Sequence, residues 1–475
     1  MDPIELTQRL GRWSSGRGPL YVLLATRLGT LIDDGELRPD APLPPDRALA
    51  SALAVGRSTV VNAYDRLAVE GRIVRRQGSG TRVAGPAGSE IRGTTDAPAF
   101  LHLLESKDDV ILLACAAPDA PPPELVQAYA ETLPELAALT GDIGYHPTGH
   151  PALRRAIAER YERRGVPTTP EQVLVTTGGQ QALSLLARAF VSPGDVVVVE
   201  APTYPGALEV FREEAAVLRP LPVGLDGLET IVADHDVSLA YVIPTFHNPT
   251  GQVLPALRRQ RLVSTTARYD VRLIEDEALV ELGFPGEEPP PPLATSTDQV
   301  ISIGSLSKVV WGGLRIGWVR APSSVVTRLA RLRVVHDLGG NVPAQLAAAH
   351  LLDRLDPIRH RQAAQRQAQC EHLRAELAHR LPEWEVPTTA RGGQTLWIRL
   401  PRGDSTSFAQ TALRNGVAIL PGRGLDAGGR SEAYLRIHFI APPDQLSEAV
   451  RRLAAAWADY DPPATPSPSA PAMAV

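Results

Sequence analysis

Apolar residues at Leu20, Leu23, Leu24, Leu28, Leu31 and Ile32 recur at intervals of three and four, the period that gathers them on one helical face. Gly35 interrupts that pattern, and the turn Pro42-Leu43-Pro44-Pro45 follows. Asp46 is placed to cap a short helix reaching Leu53. A turn at Val55-Gly56-Arg57-Ser58 then leads to a longer helix from Thr59 to Glu70, with Val60, Ala63, Tyr64 and Leu67 on one face and Gly71 at its end. From Ile73 to Val83 the pattern predicts two short strands joined by Gly78-Ser79-Gly80. Helix, short helix, longer helix and hairpin together predict a winged helix-turn-helix.

Beyond residue 108 the pattern changes to long amphipathic stretches separated by short β-branched runs. Val173–Thr176, Val196–Val199, Leu239–Ile243, Val271–Ile274 and Val300–Ile303 suit buried parallel strands, so the fold class is α/β with a mainly parallel sheet wrapped by helices. Between these regions, and again at the C-terminal end, periodicity gives way to Gly, Pro, Ala, Ser and Thr. The expected organisation is a winged helix-turn-helix domain at 1–84, a linker at 85–107, an α/β domain with large and small subdomains at 108–460, and a disordered tail at 461–475.

Length alone argues for more than one domain, since the chain has 475 residues. No apolar run is long enough to span a membrane, and Arg9, Arg12, Arg17 and Arg27 break up the only region where a signal-peptide core would lie. Cys115 and Cys370 lack metal-ligand spacing and read as reduced thiols in cores, so a cytoplasmic protein without a metal site is expected. The net charge is -5, yet residues 1–85 carry twelve arginines against nine acidic residues, a local excess of positive charge. It falls on the predicted winged helix, where Arg57, Ser58 and Thr59 start the longer helix, Arg47 lies on the shorter one, and Gln77 and Gly78 form the wing tip. A helix N-terminus of this kind suits the major groove of double-stranded DNA and its phosphates.

The chain has only two lysines, Lys107 and Lys308. Lys308 lies in Ser305-Leu306-Ser307-Lys308, seven residues before Arg315. A primary amine is the basic side chain that condenses with an aldehyde, and hydroxyls with a guanidinium beside it suit the phosphate of pyridoxal 5'-phosphate (PLP). Gly178-Gly179-Gln180 follows the first predicted strand of the large domain and opens a helix, so its amides can cradle the same phosphate. Tyr204 offers a ring to stack on the cofactor or to fill the core. Asp276, in Ile274-Glu275-Asp276-Glu277, offers a buried carboxylate that would keep a pyridinium nitrogen protonated, whereas Glu275 is expected to be structural.

These motifs carry two resemblances. Leu43 to Arg47, Arg57 to Val60, Leu67 to Gly71 and Gly78 to Val83 resemble the pattern of the GntR family, although Gly56 stands where that family usually has serine. The Lys308 segment and His247-Asn248-Pro249-Thr250-Gly251 resemble fold-type I aminotransferases. That likeness implies that Asn248 donates to the phenolic oxygen of PLP and that Tyr145 reaches the phosphate in the partner subunit of a homodimer. It also implies that Arg436 clamps a carboxylate. The order of modules resembles the MocR/GabR regulators, which implies a PLP-dependent transcriptional regulator that senses an amino compound or PLP itself. An amine displacing Lys308 would re-aim the DNA readers of a nucleoid-bound protein. An aminotransferase with a tethering N-terminal domain is the alternative, and a regulator without cofactor would leave Lys308 a coincidence. One departure bears on the choice: Ala278 replaces a tyrosine that in the family also contacts the phenolic oxygen. Its loss removes a hydrogen bond of about 1.5 to 3 kcal/mol, which counts against efficient transamination and leaves residual chemistry open.

Overall fold

The computed structural model describes residues 3–11, 13–14, 19–33, 37, 41–69, 72–76, 80–83, 109–388 and 390–462. The chain divides into two compact units, Met1–Pro98 and Ala99–Val475. The expected linker lies outside the described residues, as do nearly all of the expected tail, the wing-tip residues Gln77 and Gly78, and Gly35 and Gly71.

In the first unit α1 (Pro3–Leu10) and α2 (Leu20–Asp33) precede β1 (Pro42–Leu43), α3 (Asp46–Ala52), α4 (Arg57–Val69), β2 (Ile73–Arg76) and β3 (Gly80–Val83). Leu24, Leu28 and Leu31 of α2, Leu49 of α3 and the expected face of α4 (Val60, Ala63, Tyr64, Leu67) are fully buried together. Each such leucine contributes roughly 1.5–3 kcal/mol. The Tyr64 phenol donates to the Pro44 carbonyl at 3.0 Å, tying α4 to the preceding turn. β2 and β3 pair antiparallel as the predicted hairpin, and β1 adds a third strand to β3. Two boundaries differ from expectation. The longer helix starts at Arg57 and not Thr59, and Asp46 is the first helical residue, with Pro45 at the cap position and no side-chain cap bond.

The second unit opens with β4 (Ile111–Leu112), α5 (Pro123–Ala138) and α6 (Pro151–Arg163). There follow β5 (Val173–Thr176), α7 (Gly179–Phe190), β6 (Val196–Glu200), α8 (Pro205–Glu213), β7 (Val217–Leu221), β8 (Val237–Val242), β9 (Arg272–Asp276), β10 (Ile301–Ser305) and β11 (Gly317–Arg320). β5 to β11 form one seven-stranded sheet in the order β5-β11-β10-β9-β8-β6-β7. All neighbours are parallel except β11, which runs antiparallel to both β10 and β5. Leucines of α5 and α6 pack on one face of the sheet, and those of α7 and α8 on the other.

A smaller sheet, ordered β12-β15-β14, is built from β12 (Thr395–Arg399), β14 (Leu420–Pro421) and β15 (Tyr434–His438), while β13 (Val417–Ala418) pairs with β4. Helices Leu355–Arg380, Ser405–Arg414 and Pro443–Ala458 cover it with a separate apolar core. His438 links β15 to the start of the unit, its Nε2 facing the Leu112 carbonyl at 2.7 Å. Among the described residues no helix is long and apolar enough to cross a membrane.

Register fixes what meets at the sheet edge. Gly317 pairs with Ser305 on one side and with Thr176 on the other. A Cβ at Gly317 would lie 2.6 Å from the backbone carbon of Gly178, where only movement of main chain could relieve it. Gly317→Ala is therefore expected to destabilise the second unit by on the order of 2 kcal/mol. A urea midpoint indistinguishable from wild type would show that the row yields freely. Burial also pushes the His438 imidazole down to about 4. The unfolded chain, with an ordinary histidine near 6.5, binds the proton first, so stability falls as pH drops from about 6.5 to 4, by roughly 3 kcal/mol. His438→Gln keeps a donor for Leu112 but cannot titrate, and its unfolding free energy is expected to fall less steeply than that of wild type over this range.

Candidate functional sites

Parallel strands deliver their C-terminal ends to one edge, and the chemistry collects there. Lys308 follows β10 directly, and its Nζ donates to the Ala116 carbonyl at 2.6 Å. Burial of the amine lowers its pKa below that of an ordinary lysine. Ser305 ends β10, and its hydroxyl accepts from the Ser307 amide at 3.2 Å. Arg315 adopts a left-handed backbone, φ 56°, and donates to the Thr177 carbonyl. Gly178, at φ 101°, precedes α7 directly beneath it, and a Cβ on Gly178 would sit 2.9 Å from that guanidinium. Gly178, Gly179, Ser305 and Arg315 are thus adjacent, around the N-terminus of α7. Gln180 donates to the Gly206 carbonyl at 3.0 Å and accepts from the Tyr204 phenol at 3.0 Å. Tyr204 is half-buried, and burial together with nearby Asp276 pushes its phenol up to about 12.

Three consecutive carboxylates at the end of β9 part ways because side chains alternate along a strand. Asp276 accepts from the Tyr241 phenol at 2.6 Å and from the Ala278 amide at 2.9 Å. Burial raises its pKa, opposed by those two bonds. Glu275 instead accepts from the Leu293 amide at 2.9 Å and faces Arg259 at 3.3 Å, a brace within the fold. Glu277 takes the Tyr161 phenol at 2.7 Å and Arg164 at 2.6 Å.

Arg436 on β15 is 4% exposed. It donates to Asn248 Oδ1 at 2.9 Å and to the Ala114 carbonyl, while its Nε has no partner. Burial pushes its pKa down to about 10, which leaves it charged at neutral pH. Both acceptors are neutral, and among the described residues no carboxylate pairs with it. A buried cation without an anion is costly, so the position suits an anionic ligand. The Gln394 amide, missed in the sequence, donates to the Lys308 carbonyl at 3.2 Å.

Sequence reasoning also missed Tyr241 and the Ala114 and Ala116 carbonyls. Backbone acceptors leave no trace in residue identity, and a tyrosine inside a buried strand reads as core. Cys115, between those two alanines, is half-buried and lies near Lys308, Arg436 and Tyr204, so it borders the site and is not the core thiol expected; Cys370 is buried. Tyr145 stands apart from this group, 62% exposed in the segment before α6.

In the first unit, Arg57 and Ser58 are exposed and Thr59 half-buried in the opening turn of α4, and Arg47 is exposed on α3. A Cβ at Gly56 would meet nothing closer than the Ser58 hydroxyl at 3.6 Å, so the serine usual at this place would fit.

An amine with lowered pKa, a glycine cradle at a helix N-terminus, a buried carboxylate and an arginine lacking an anion are the parts a PLP site requires. The comparisons agree. Residues 108–453 match the family described as aminotransferase class I and II, and residues 20–83 match the bacterial regulatory proteins of the gntR family. The HTH-type transcriptional regulator YisV of Bacillus subtilis (strain 168) is 28% identical over 94% of this chain and 99% of that protein. The probable rhizopine catabolism regulatory protein MocR of Rhizobium meliloti is 34% identical over 70% of this chain and 71% of that protein. Among solved structures, LysN, an alpha-aminoadipate aminotransferase from Thermus thermophilus complexed with N-(5'-phosphopyridoxyl)-L-leucine, superposes with a TM-score of 0.67 at 30% identity, over 76% of this chain and 94% of that one. The second unit is accordingly a PLP domain of the fold-type I class, and the chain belongs to the MocR-type regulators, in which a GntR-family DNA reader precedes an aminotransferase-like domain.

Proposed function

We propose that this regulator senses an amino compound bearing a carboxylate, and that the residues gathered at the sheet edge are its receptor. The observation that carries this reading is Arg436, a buried guanidinium held only by neutral oxygens. A ligand carboxylate would supply the missing anion as a bidentate pair. Lys308 would hold PLP covalently. The amides of Gly178, Gly179 and Gln180, with Ser305, Ser307 and Arg315, would take its phosphate. Tyr204 would stack on its ring, Asn248 would donate to its phenolic oxygen, and Asp276 would keep its ring nitrogen protonated. When bound, PLP supplies an electron sink for the ligand's amine carbon.

The contacts of Ala114 and Ala116 favour sensing. Arg436 and Lys308 donate to the carbonyls of these two residues, which follow β4, the first element after the expected linker. A ligand carboxylate on Arg436 would take that donor from the segment, whereas the Lys308 amine, withdrawn when PLP is joined to it, would be freed again by an amine that displaces it. In this reading Arg47, Arg57, Ser58, Thr59, Gln77 and Gly78 contact double-stranded DNA, and the protein works in the cytoplasm, at the nucleoid when bound. It is a homodimer in which Tyr145 reaches the cofactor phosphate of the partner subunit, consistent with the exposure of Tyr145 and of Ile143, 62% and 81%.

The purified protein is expected to absorb near ~420 nm, the band of a PLP–lysine adduct, and Lys308→Ala to lose that band. Arg57→Ala is expected to weaken binding to a specific DNA site by about tenfold or more at a fixed, stated salt concentration. Turnover of amino and keto acids at ordinary enzyme rates, ~1 to 1000 per second, or the absence of any specific DNA site, would overturn the regulator reading. Arg436→Met should keep the 420 nm band while lowering affinity for carboxylate-bearing amines roughly 10- to 100-fold, the loss of a charge-assisted bond. Equal affinities for such amines in both proteins would remove Arg436 from the receptor.

A further inference from the structure

Outside the sheet edge, another set of side chains converges in the segment between α5 and α6. Asp142, His146 and His150 lie at four-residue intervals in non-helical chain, and one potential ligand atom from each falls within 4.8 Å of the others. The chain itself arranges them. The Gly144 amide donates to Asp142 Oδ1 at 2.7 Å, which fixes that carboxylate and leaves Oδ2 facing His146 Nε2 at 3.1 Å. The turn closed by the Gly149 amide and the His146 carbonyl, 2.9 Å, then folds His150 back onto His146. The two imidazoles stand edge to face, with centroids 5.0 Å apart and an interplanar angle of 78°. Gly149 is needed for this close return: at φ 102° it packs where a Cβ would lie 2.4 Å from Val175.

From this arrangement we infer that Asp142, His146 and His150 bind a divalent transition-metal ion of the zinc type. Two imidazole nitrogens and one carboxylate oxygen are borderline ligands that suit Zn²⁺, Co²⁺ or Ni²⁺ and do not suit Mg²⁺ or Ca²⁺, which prefer all-oxygen shells. Bonds of about 2.0–2.2 Å place neighbouring ligands of a tetrahedral ion about 3.3–3.6 Å apart. The 3.1 Å pair lies within a few tenths of an ångström of that spacing, and the His150 ligand atom, within 4.8 Å of the others, reaches it by a side-chain movement. The Ala152 amide meets His150 Nδ1 at 3.3 Å, a contact that ligation through Nε2 keeps and ligation through Nδ1 exchanges for a metal bond. The remaining position is left to water. A bound ion joins residues 142, 146 and 150 and so staples the segment that carries Tyr145. It does so without contact to the Lys308 site, so the inference stands or falls apart from the receptor reading.

The test uses the full chain, free of any histidine tag and loaded with PLP. Titration with Zn²⁺ against a chromophoric chelator is expected to give one equivalent per chain at a Kd of about 1 µM or tighter. Co²⁺ should give visible d–d absorption of a four- or five-coordinate site. His146→Ala and Asp142→Asn, the latter retaining an acceptor for Gly144, should each weaken Zn²⁺ binding by at least about tenfold, a change of about 1.4 kcal/mol in binding. His379→Ala, an exposed histidine elsewhere, should leave it unchanged. The PLP band and thermal melts identify variants that fail to fold, and the Asp142→Asn result then decides alone. Absence of stoichiometric uptake at 10-fold the ~1 µM expectation, or equal uptake by wild type and both variants, would reduce the cluster to a hydrogen-bonded aspartate and histidine pair.

Discussion

An antiparallel strand wedged between two parallel ones is the constraint on which the ligand site rests. β11 is short, and its first residue, Gly317, is bonded in register to Ser305 and to Thr176. Those partners come from strands more than a hundred residues apart in the chain. Because Gly317 has no side chain, the backbone of Gly178 packs directly against it. The left-handed Arg315 just before β11 is thereby aimed over the helix that Gly179 opens. Lys308, Ser305, Gly178 and Arg315 thus meet through main-chain registration, before any side chain has contributed.

Around that row the fold treats its buried charges in two ways. Glu275 and Glu277 are matched by Arg259 and Arg164, and Glu281 by Arg160 at 2.6 Å. These pairs brace the strands and face away from the sheet edge. Asp276 and Arg436 are matched by neutral groups only: a phenol and an amide for the first, a carboxamide oxygen and a carbonyl for the second. Replacing a charged partner with a neutral one leaves part of the burial cost uncompensated. Arg320 and Arg366 are also buried among neutral acceptors, but Asp276 and Arg436 are the pair beside Lys308, where a ligand with a cationic ring nitrogen and a carboxylate would supply the missing charges.

The legibility of the sequence followed the same physics. Strands buried on both faces, such as Val173–Thr176 and Val196–Glu200, read as short β-branched runs and stood out. β7 contains Arg219 and Pro220 and lies at the sheet's edge, while β11 begins with glycine and ends with arginine, so neither reads as a strand. Lys308, Asp276, Asn248, Ser305 and Arg315 were legible because their chemistry is rare or their motif specific, and the structure places all of them on one edge of the unit. Tyr145 was legible by motif as well, but a single chain leaves it exposed and away from the others. Arg57 and Ser58, the candidate DNA contacts, were legible as a helix start, with the boundary misplaced because Gly56 ends the turn earlier than Ser58 suggested.

Ala278 shows how identity and backbone divide the work at this site. Its amide holds Asp276 Oδ1, a bond that any residue at this position would make, so the alanine leaves the carboxylate in place and deletes only the phenol usual in the family. The Tyr241 and Tyr204 phenols are committed to Asp276 and Gln180 and do not replace it. In the proposed reading the groups that would hold the cofactor are intact, and the phenol that the family resemblance ties to turnover is the one replaced. Binding alone does not switch a regulator, because a ligand with equal affinity for two arrangements shifts neither. The differential must come from contacts that exist in one state only, and in the proposed reading the donor given by Arg436 to Ala114 would be one, surrendered when a carboxylate binds. One hydrogen bond from a charged group, at about 1.5–3 kcal/mol before compensation by the ligand, is of the size of the 1–3 kcal/mol typical of coupling between sites. On that proposal, a site that holds its cofactor without the family's phenol, and gives an Arg436 donor to the segment after the expected linker, is arranged to report binding.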